Sequence, residues 1–288
     1  MKNYIKLIRP YHWIKNLIMF VPLGFSGQLF NARQFLPTVV GFIAFCLIAS
    51  SVYLMNDIQD RDKDRQHPTK KNRPIASGAV SVSSAIIYLS ILLILGFGLS
   101  LLTSLFVGNW ALALWPLGYF VINLGYSNGL KNVPLIDVAI IAVGFLMRLL
   151  FGAGISDVTV SSWLFLTVLS ASFFLGFGKR RNEITKSGSK SRTVLNAYSY
   201  NFLDKIMYVF LGLTIGFYSM WTINGLNASA SHLMIWSVPL VMIIVADYSL
   251  IVEGDSDGDP AEVLRHSKTL SILVIAYVLL MLVLLYFV

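Results

Sequence analysis

Residues 56–78 read NDIQDRDKDRQHPTKKNRPIASG, placing four aspartates and six cations between two long apolar runs. Aspartate beside a bilayer is energetically expensive, so an acidic cluster at such a boundary points to a functional site. If the preceding apolar run continues as a helix, Asp57, Asp60 and Asp64 stand at i, i+3 and i+7. At 3.6 residues per turn these three share one face, and Asp62 points away. Three carboxylates on one face, with Asn56 one residue before the first, make a hard oxygen-ligand set. Such a set suits Mg²⁺ that leaves part of its coordination to a substrate's phosphates. A solvated loop would explain the charge, but not the one-face spacing.

Outward from this stretch the chain is strongly apolar. Of its 288 residues 56% are hydrophobic and only 12% charged, about half the charged share of an ordinary soluble domain. Apolar runs long enough to span a bilayer recur along nearly the whole length. We expect an all-α, polytopic membrane protein forming one transmembrane domain over residues 1–288, with nine spans. These fall at roughly 16–31, 36–55, 82–106, 109–126, 134–152, 161–178, 205–225, 232–252 and 269–288. The first is interrupted by Pro22, Gly24 and Gly27. The N-terminal segment lacks a compact apolar core with a small-residue cleavage site, so no removable signal peptide is expected. Cys46 stands alone, which rules out an intrachain disulfide and disfavours redox chemistry.

Charge placement supports this count. All of the 22 Lys and Arg residues except Arg33 and Arg148 fall on one side of a nine-span topology. By the positive-inside rule that side is cytoplasmic, with the N-terminus inside and the C-terminus outside. The +8 net charge is thus explained by topology rather than by nucleic-acid binding. The expected active-site loops, about 56–80, 127–133 and 179–204, all lie on this face.

His67-Pro68 is expected to end the acid-bearing helix. Lys70, Lys71 and Arg73 follow within a few residues, and a metal answered by nearby cations suits a polyanion such as a diphosphate. The same cations also satisfy the positive-inside bias. The loop after span four supplies Tyr126, Lys131 and Asp137 and has no second acidic copy. Asp137 and Arg148 lie eleven residues apart, close to three helical turns, and so share a face of span five. Arg148 either faces the interior of the bundle or snorkels outward. Lys179, Arg180 and Arg181 either bind phosphate or anchor the end of span six. EGDSDGDPAE at 253–262 has glycine at the fourth rather than the sixth position of a calcium loop.

The NDxxDxxxD pattern of Asn56, Asp57, Asp60 and Asp64, in a nine-span basic-inside chain, resembles the UbiA superfamily of intramembrane prenyltransferases. Within it, DRQHPTKKNRPIASG, RPYHWIKN, YSNGLKNVPLIDV, GFLMRLLFGAG, and FGKRRNEI followed by RTVLNAYS are similar to the decaprenyl-phosphate phosphoribosyltransferase branch. The resemblance implies that Asp57, Asp60 and Asp64 hold Mg²⁺ on the diphosphate of phosphoribosyl diphosphate, with Asn56 positioning that group. It also implies that Lys15, Lys70, Arg73, Lys131 and Lys179 to Arg181 lie near substrate phosphates, and that the acceptor is a polyprenyl phosphate. Two departures stand out: Asp247 occupies a position where that branch tends to have arginine, and RHSKTL at 265–270 replaces its usual acidic-Arg pair. Two rival readings remain. One is prenyl transfer from a polyprenyl diphosphate to an aromatic or other small acceptor; the other is a transporter. A homo-oligomer is left open.

Overall fold

The computed structural model describes residues 2–67, 70–187, 193–224, 233–254, 256 and 258–287. Among the described residues every regular element is helical. In chain order these are α1 (Lys2–Ile8), a 3-10 segment (Pro10–Phe20), α2 (Val21–Phe25), α3 (Ala32–Gln59), α4 (Arg61–Arg65) and α5 (Val82–Phe106). Then come α6 (Leu114–Ser127), α7 (Ile136–Ile155), α8 (Ser162–Ser187), α9 (Tyr200–Asn224), α10 (Ser237–Glu253), α11 (Pro260–His266) and α12 (Lys268–Tyr286).

Six of these, α3, α5, α7, α8, α9 and α12, are long and apolar enough to cross a membrane. The nine-span expectation is met in full length only there. At the first expected span, the 3-10 segment gives way to the five-residue α2 around Pro22. At the fourth, a 3-10 turn (Trp110–Ala113) precedes the 14-residue α6, and at the eighth α10 has 17 residues. Pro116 and Pro239 lie in the first turns of α6 and α10, where a missing N–H is tolerated. Polar caps begin several helices. Asn31 accepts from the Arg33 N–H at α3, Ser81 from the Ser84 N–H at α5, and Asp259 from the Ala261 N–H at α11.

The chain divides into two compact units. The first comprises residues 1–24, 28–128 and 147–158, and the second residues 25–27, 129–146 and 159–288. In the first unit Met19, Phe45, Ile48, Val52, Tyr119 and Phe151 form one apolar cluster. A second cluster joins Leu7, Leu54, Ile75 and Leu92 beneath the loop that follows α4. In the second unit Phe174 and Phe177 of α8 pack with Leu203 and Met207 of α9, and with Val194 and Leu195. Small residues allow close helix contact, as expected in a bilayer where apolar side chains gain little by leaving lipid. A Cβ on Gly152 would lie 2.1 Å from the Met19 carbonyl oxygen, and one on Gly96 would lie 3.2 Å from that of Ala44. Ile86, Ile87, Ile94, Leu95, Leu102 and Leu105 of α5 point outward. Such a run of exposed apolar side chains fits a surface that meets hydrocarbon.

Candidate active site

The acid motif lies at the end of α3, in the first unit. Asp57 is on its last turn, Asp60 caps it, and Asp64 follows on α4. The Asp60 backbone (φ −88°, ψ 6°) departs from ideal helix, yet its N–H still bonds the Asn56 carbonyl at 2.9 Å. The Asp64 N–H likewise bonds the Asp60 carbonyl at 2.8 Å. The turn therefore preserves nearly helical spacing, and Asp57 and Asp64 arrive on a common side. The expected end of this helix at His67-Pro68 is partly visible, since α4 closes at Arg65, while Pro68 lies outside the described residues.

The meeting point of the two acids is a guanidinium. Arg73 Nη1 donates to Asp57 Oδ1 at 3.0 Å and to Asp64 Oδ2 at 2.7 Å. Arg9 Nη2 donates to the same Asp57 oxygen at 2.6 Å. Asp57 and Asp64 are buried, and Asp60 is half-buried in the turn between the helices. Burial lowers the affinity of the Arg9 guanidinium for its proton, but the charge and hydrogen bond of Asp57 outweigh it and the net shift is upward. Asp62 is 71% exposed and pairs with Arg61 and Arg65, the outward direction its helical position predicts. The hydrogen bond from Arg61 pulls its carboxyl below the ordinary aspartate range. Asn56 is held through its Oδ1 by the hydroxyl of Ser127, on the last turn of α6.

Sequence reasoning overlooked Arg9 as a site residue; its only signal was the Arg-Pro pair opening RPYHWIKN. It sits between α1 and the 3-10 segment with a left-handed backbone (φ 48°, ψ 63°), its guanidinium 5.1 Å from the centre of the Tyr53 ring.

The donor set fits a hard divalent cation. Asp57 and Asp64 each direct one oxygen at a single cationic nitrogen, so one cation can be shared between them. Two carboxylates plus substrate phosphates is a usual Mg²⁺ arrangement. Among the described residues no three acid, histidine or cysteine side chains form a ready cage. Of the expected trio, Asp57 and Asp64 converge on Arg73, and Asp60 lies at the bend between their helices.

Other predicted residues are distributed as follows. In the first unit Arg148 is buried, with Nε donating to Asn16 Oδ1 at 2.6 Å and Nη2 to the Tyr119 hydroxyl at 3.0 Å. Its guanidinium also lies 5.0 Å from the centre of the Phe45 ring. This is the inward-facing arrangement rather than snorkelling. Lys15 and Tyr126 are half-buried, and Lys70 is exposed on a 3-10 turn (Lys70–Asn72).

In the second unit Lys131 is half-buried on the turn Leu130–Asn132. Asp137 is bonded by Arg180 Nε at 2.6 Å and by the Tyr198 hydroxyl at 2.7 Å. Sequence spacing placed Asp137 and Arg148 on one helix face without naming a partner for the acid; the cation that Asp137 meets is Arg180. Arg180 also reaches Glu183 at 2.9 Å, Lys179 reaches Asp259 at 3.1 Å, and Arg181 lies 2.8 Å from Asp204. All three cations that end the apolar part of α8 are therefore matched to acids of their own unit. Asp259 caps α11 and engages Lys179; Asp255 and Asp257 of the same stretch lie outside the described residues. Asp247, on α10, has Oδ2 buried with no hydrogen-bond partner among the described residues.

Long apolar helices carrying a buried acid pair met by two arginines define a multi-pass membrane protein with a site suited to a metal-bound polyanion. The chain belongs to the UbiA prenyltransferase family, which it matches over residues 18–273, and is a transferase. It is 32% identical over 281 residues to the decaprenyl-phosphate phosphoribosyltransferase of Corynebacterium glutamicum, covering 95% of this chain and 84% of that one. The protein of the same description from Mycolicibacterium smegmatis is 31% identical, with 95% and 89% covered. A UbiA homologue from Archaeoglobus fulgidus, solved with DMAPP and Mg²⁺, has the same fold. The TM-score is 0.74 at 19% identity, over 98% of this chain and 99% of that one.

Proposed function

We propose that this protein transfers a 5-phosphoribosyl group from phosphoribosyl diphosphate to a polyprenyl phosphate of the decaprenyl type, releasing diphosphate at the cytoplasmic membrane face. The observation that carries the reading is the convergence of Asp57 and Asp64 on one cationic site, in a chain about 30% identical over 95% of its length to decaprenyl-phosphate phosphoribosyltransferases. Asp57, Asp64 and, from the turn, Asp60 would hold Mg²⁺, which when bound offsets negative charge on the departing diphosphate. Asn56, fixed by Ser127, orients the group at the same helix end. Arg9 and Arg73 bring two further positive charges to it.

As the bond from ribose C1 to the diphosphate oxygen breaks, positive charge develops at C1, and an oxygen of the lipid phosphate forms the new bond. That phosphate is already ionised near neutral pH, so no strong general base is needed. Rate enhancement then comes from proximity and from fixed charge aimed at the leaving group. Lys15 and Lys70, which belong to the same compact unit as the acid pair, are further candidates for phosphate contacts. The nine-span topology, with the N-terminus inside, belongs to the same proposal.

Purified protein in detergent with Mg²⁺ separates the rival donors. Labelled phosphoribosyl diphosphate with polyprenyl phosphate should yield labelled lipid, and Asp57→Asn or Asp64→Asn should lower the rate by about a hundredfold or more. Label entering lipid only from a prenyl diphosphate offered with 4-hydroxybenzoate would replace this reading with prenyl transfer.

A further inference from the structure

The acid pair and its arginines are unequally anchored. Asp57 and Asp64 are buried on consecutive helices, whereas the Arg73 and Arg9 side chains are 28% and 18% exposed. Arg73 follows a short 3-10 turn, and Arg9 sits on a left-handed backbone between two helical segments. Non-glycine residues held in that conformation concentrate at functional sites. The carboxylates are therefore the fixed half of the cluster, and the guanidiniums are the half able to move. One atom, Arg73 Nη1, also occupies the point where both acid oxygens can share a cation.

We propose that Arg73 and a divalent cation are alternative partners of the Asp57–Asp64 pair. On this account Arg73 and Arg9 cross from the carboxylates to the diphosphate when it arrives with its metal. Within the four-residue group two carboxylates balance two guanidiniums. A dication entering alone would face Arg73 and Arg9 at short range, which poorly screened surroundings penalise. A dication entering with a diphosphate brings new acceptors, and guanidinium forks suit phosphate oxygens well. Metal and diphosphate then bind as a coupled pair, each tightening the other by the same factor. The protein without donor holds metal weakly, which keeps the site from committing a cation before the substrate is present. The inference rests on Asp57 and Asp64 being the metal carboxylates, and not on which group the diphosphate carries.

The test is a Mn²⁺ titration of the purified full-length protein in detergent, followed by electron paramagnetic resonance. It is run with and without inorganic diphosphate, and Mn²⁺–diphosphate binding is measured in the same buffer without protein. Wild type should bind Mn²⁺ weakly alone and about tenfold or more tightly with diphosphate. Arg73→Met should bind Mn²⁺ alone about tenfold or more tightly than wild type and lose most of the diphosphate effect. Arg73→Lys should restore the wild-type pattern, which separates charge competition from misfolding. Arg9→Met offers an independent route and should tighten Mn²⁺ by a smaller factor. Asp57→Asn with Asp64→Asn should remove the binding, and Asp62→Asn should leave it unchanged. An Arg73→Met affinity equal to or weaker than wild type would overturn the proposal. Mn²⁺ binding indifferent to Asp57 and Asp64 would overturn it together with the metal assignment. Competition that persists while the phosphoribosyl assay fails would sink the proposed donor and leave this inference standing.

Discussion

Asp137 has no exposed surface, and its partner Arg180 is 1% exposed. Two ions in such a place survive only when their hydrogen bonds are largely made. Arg180 and Tyr198 supply them on one side, and the Leu135 N–H donates to the Tyr198 hydroxyl at 2.5 Å. Removing the acid leaves Arg180 Nε and the Tyr198 hydroxyl without their carboxylate acceptor while Glu183 still holds Nη1, so Asp137→Asn should destabilise the protein by about 1–3 kcal/mol. Thermal unfolding in detergent would measure this, and an unchanged midpoint would contradict it. Tyr198 gives a pH dependence of known sign. Burial, then the hydrogen bond to Asp137, pushes its phenol up from 10.0 to about 12. A raised folded-state value favours the neutral phenol, so its stabilisation is complete below pH 10.0 and is lost as pH climbs through about 12. The stability gap between wild type and Tyr198→Phe should therefore shrink across that window in an alkaline unfolding series.

At the scale of elements, the site depends on how closely helices approach. Gly152 of α7 leaves no room for a side chain against the 3-10 segment that carries Asn16, because its Cβ would meet the Met19 backbone rather than a flexible side chain. Gly152→Ala must displace that segment, and with it the Asn16 amide that holds Arg148. The expected result is a loss of about 1–3 kcal/mol, with activity falling further than stability explains. Gly152→Ala with normal turnover and normal melting would show that the contact is dispensable. The break at Asp60 is also decided at this scale. It separates α3 from α4 without losing the i to i−4 bonds, and so brings Asp57 and Asp64 to one guanidinium while Asp60 occupies the bend.

At the scale of the whole molecule, the charge pattern makes a prediction about orientation. Cysteines introduced one at a time near Lys71 and Lys186 should react with an impermeant thiol reagent only from the cytoplasmic side. A reporter fused after Val288 should be active only outside. Labelling of both loops from outside would reverse the topology. The six long apolar helices fit this arrangement, and the shorter α6 and α10 lie where two more spans are expected.

Several of these features were legible in the residues themselves. Helical content and membrane character follow from long apolar runs, because a bilayer leaves a spanning segment few ways to satisfy its backbone. The one-face spacing of Asp57 and Asp64, and the outward direction of Asp62, follow from helical periodicity. Periodicity constrains neighbours along one helix, and says nothing about what a distant segment brings to them. Arg9 lies 48 residues from Asp57, and Arg180 lies 43 from Asp137. These pairings, like the seating of Asn56 against Ser127, depend on loops and helix packing. That is why spacing could put Asp137 and Arg148 on one face of a helix without revealing that Arg180 is the cation Asp137 meets. The apolar pattern and the helical period of this chain thus determined that it is a helical membrane protein with an acid face. Only the tertiary structure decided which cations answer those acids, because buried charges are balanced by proximity in space rather than in sequence.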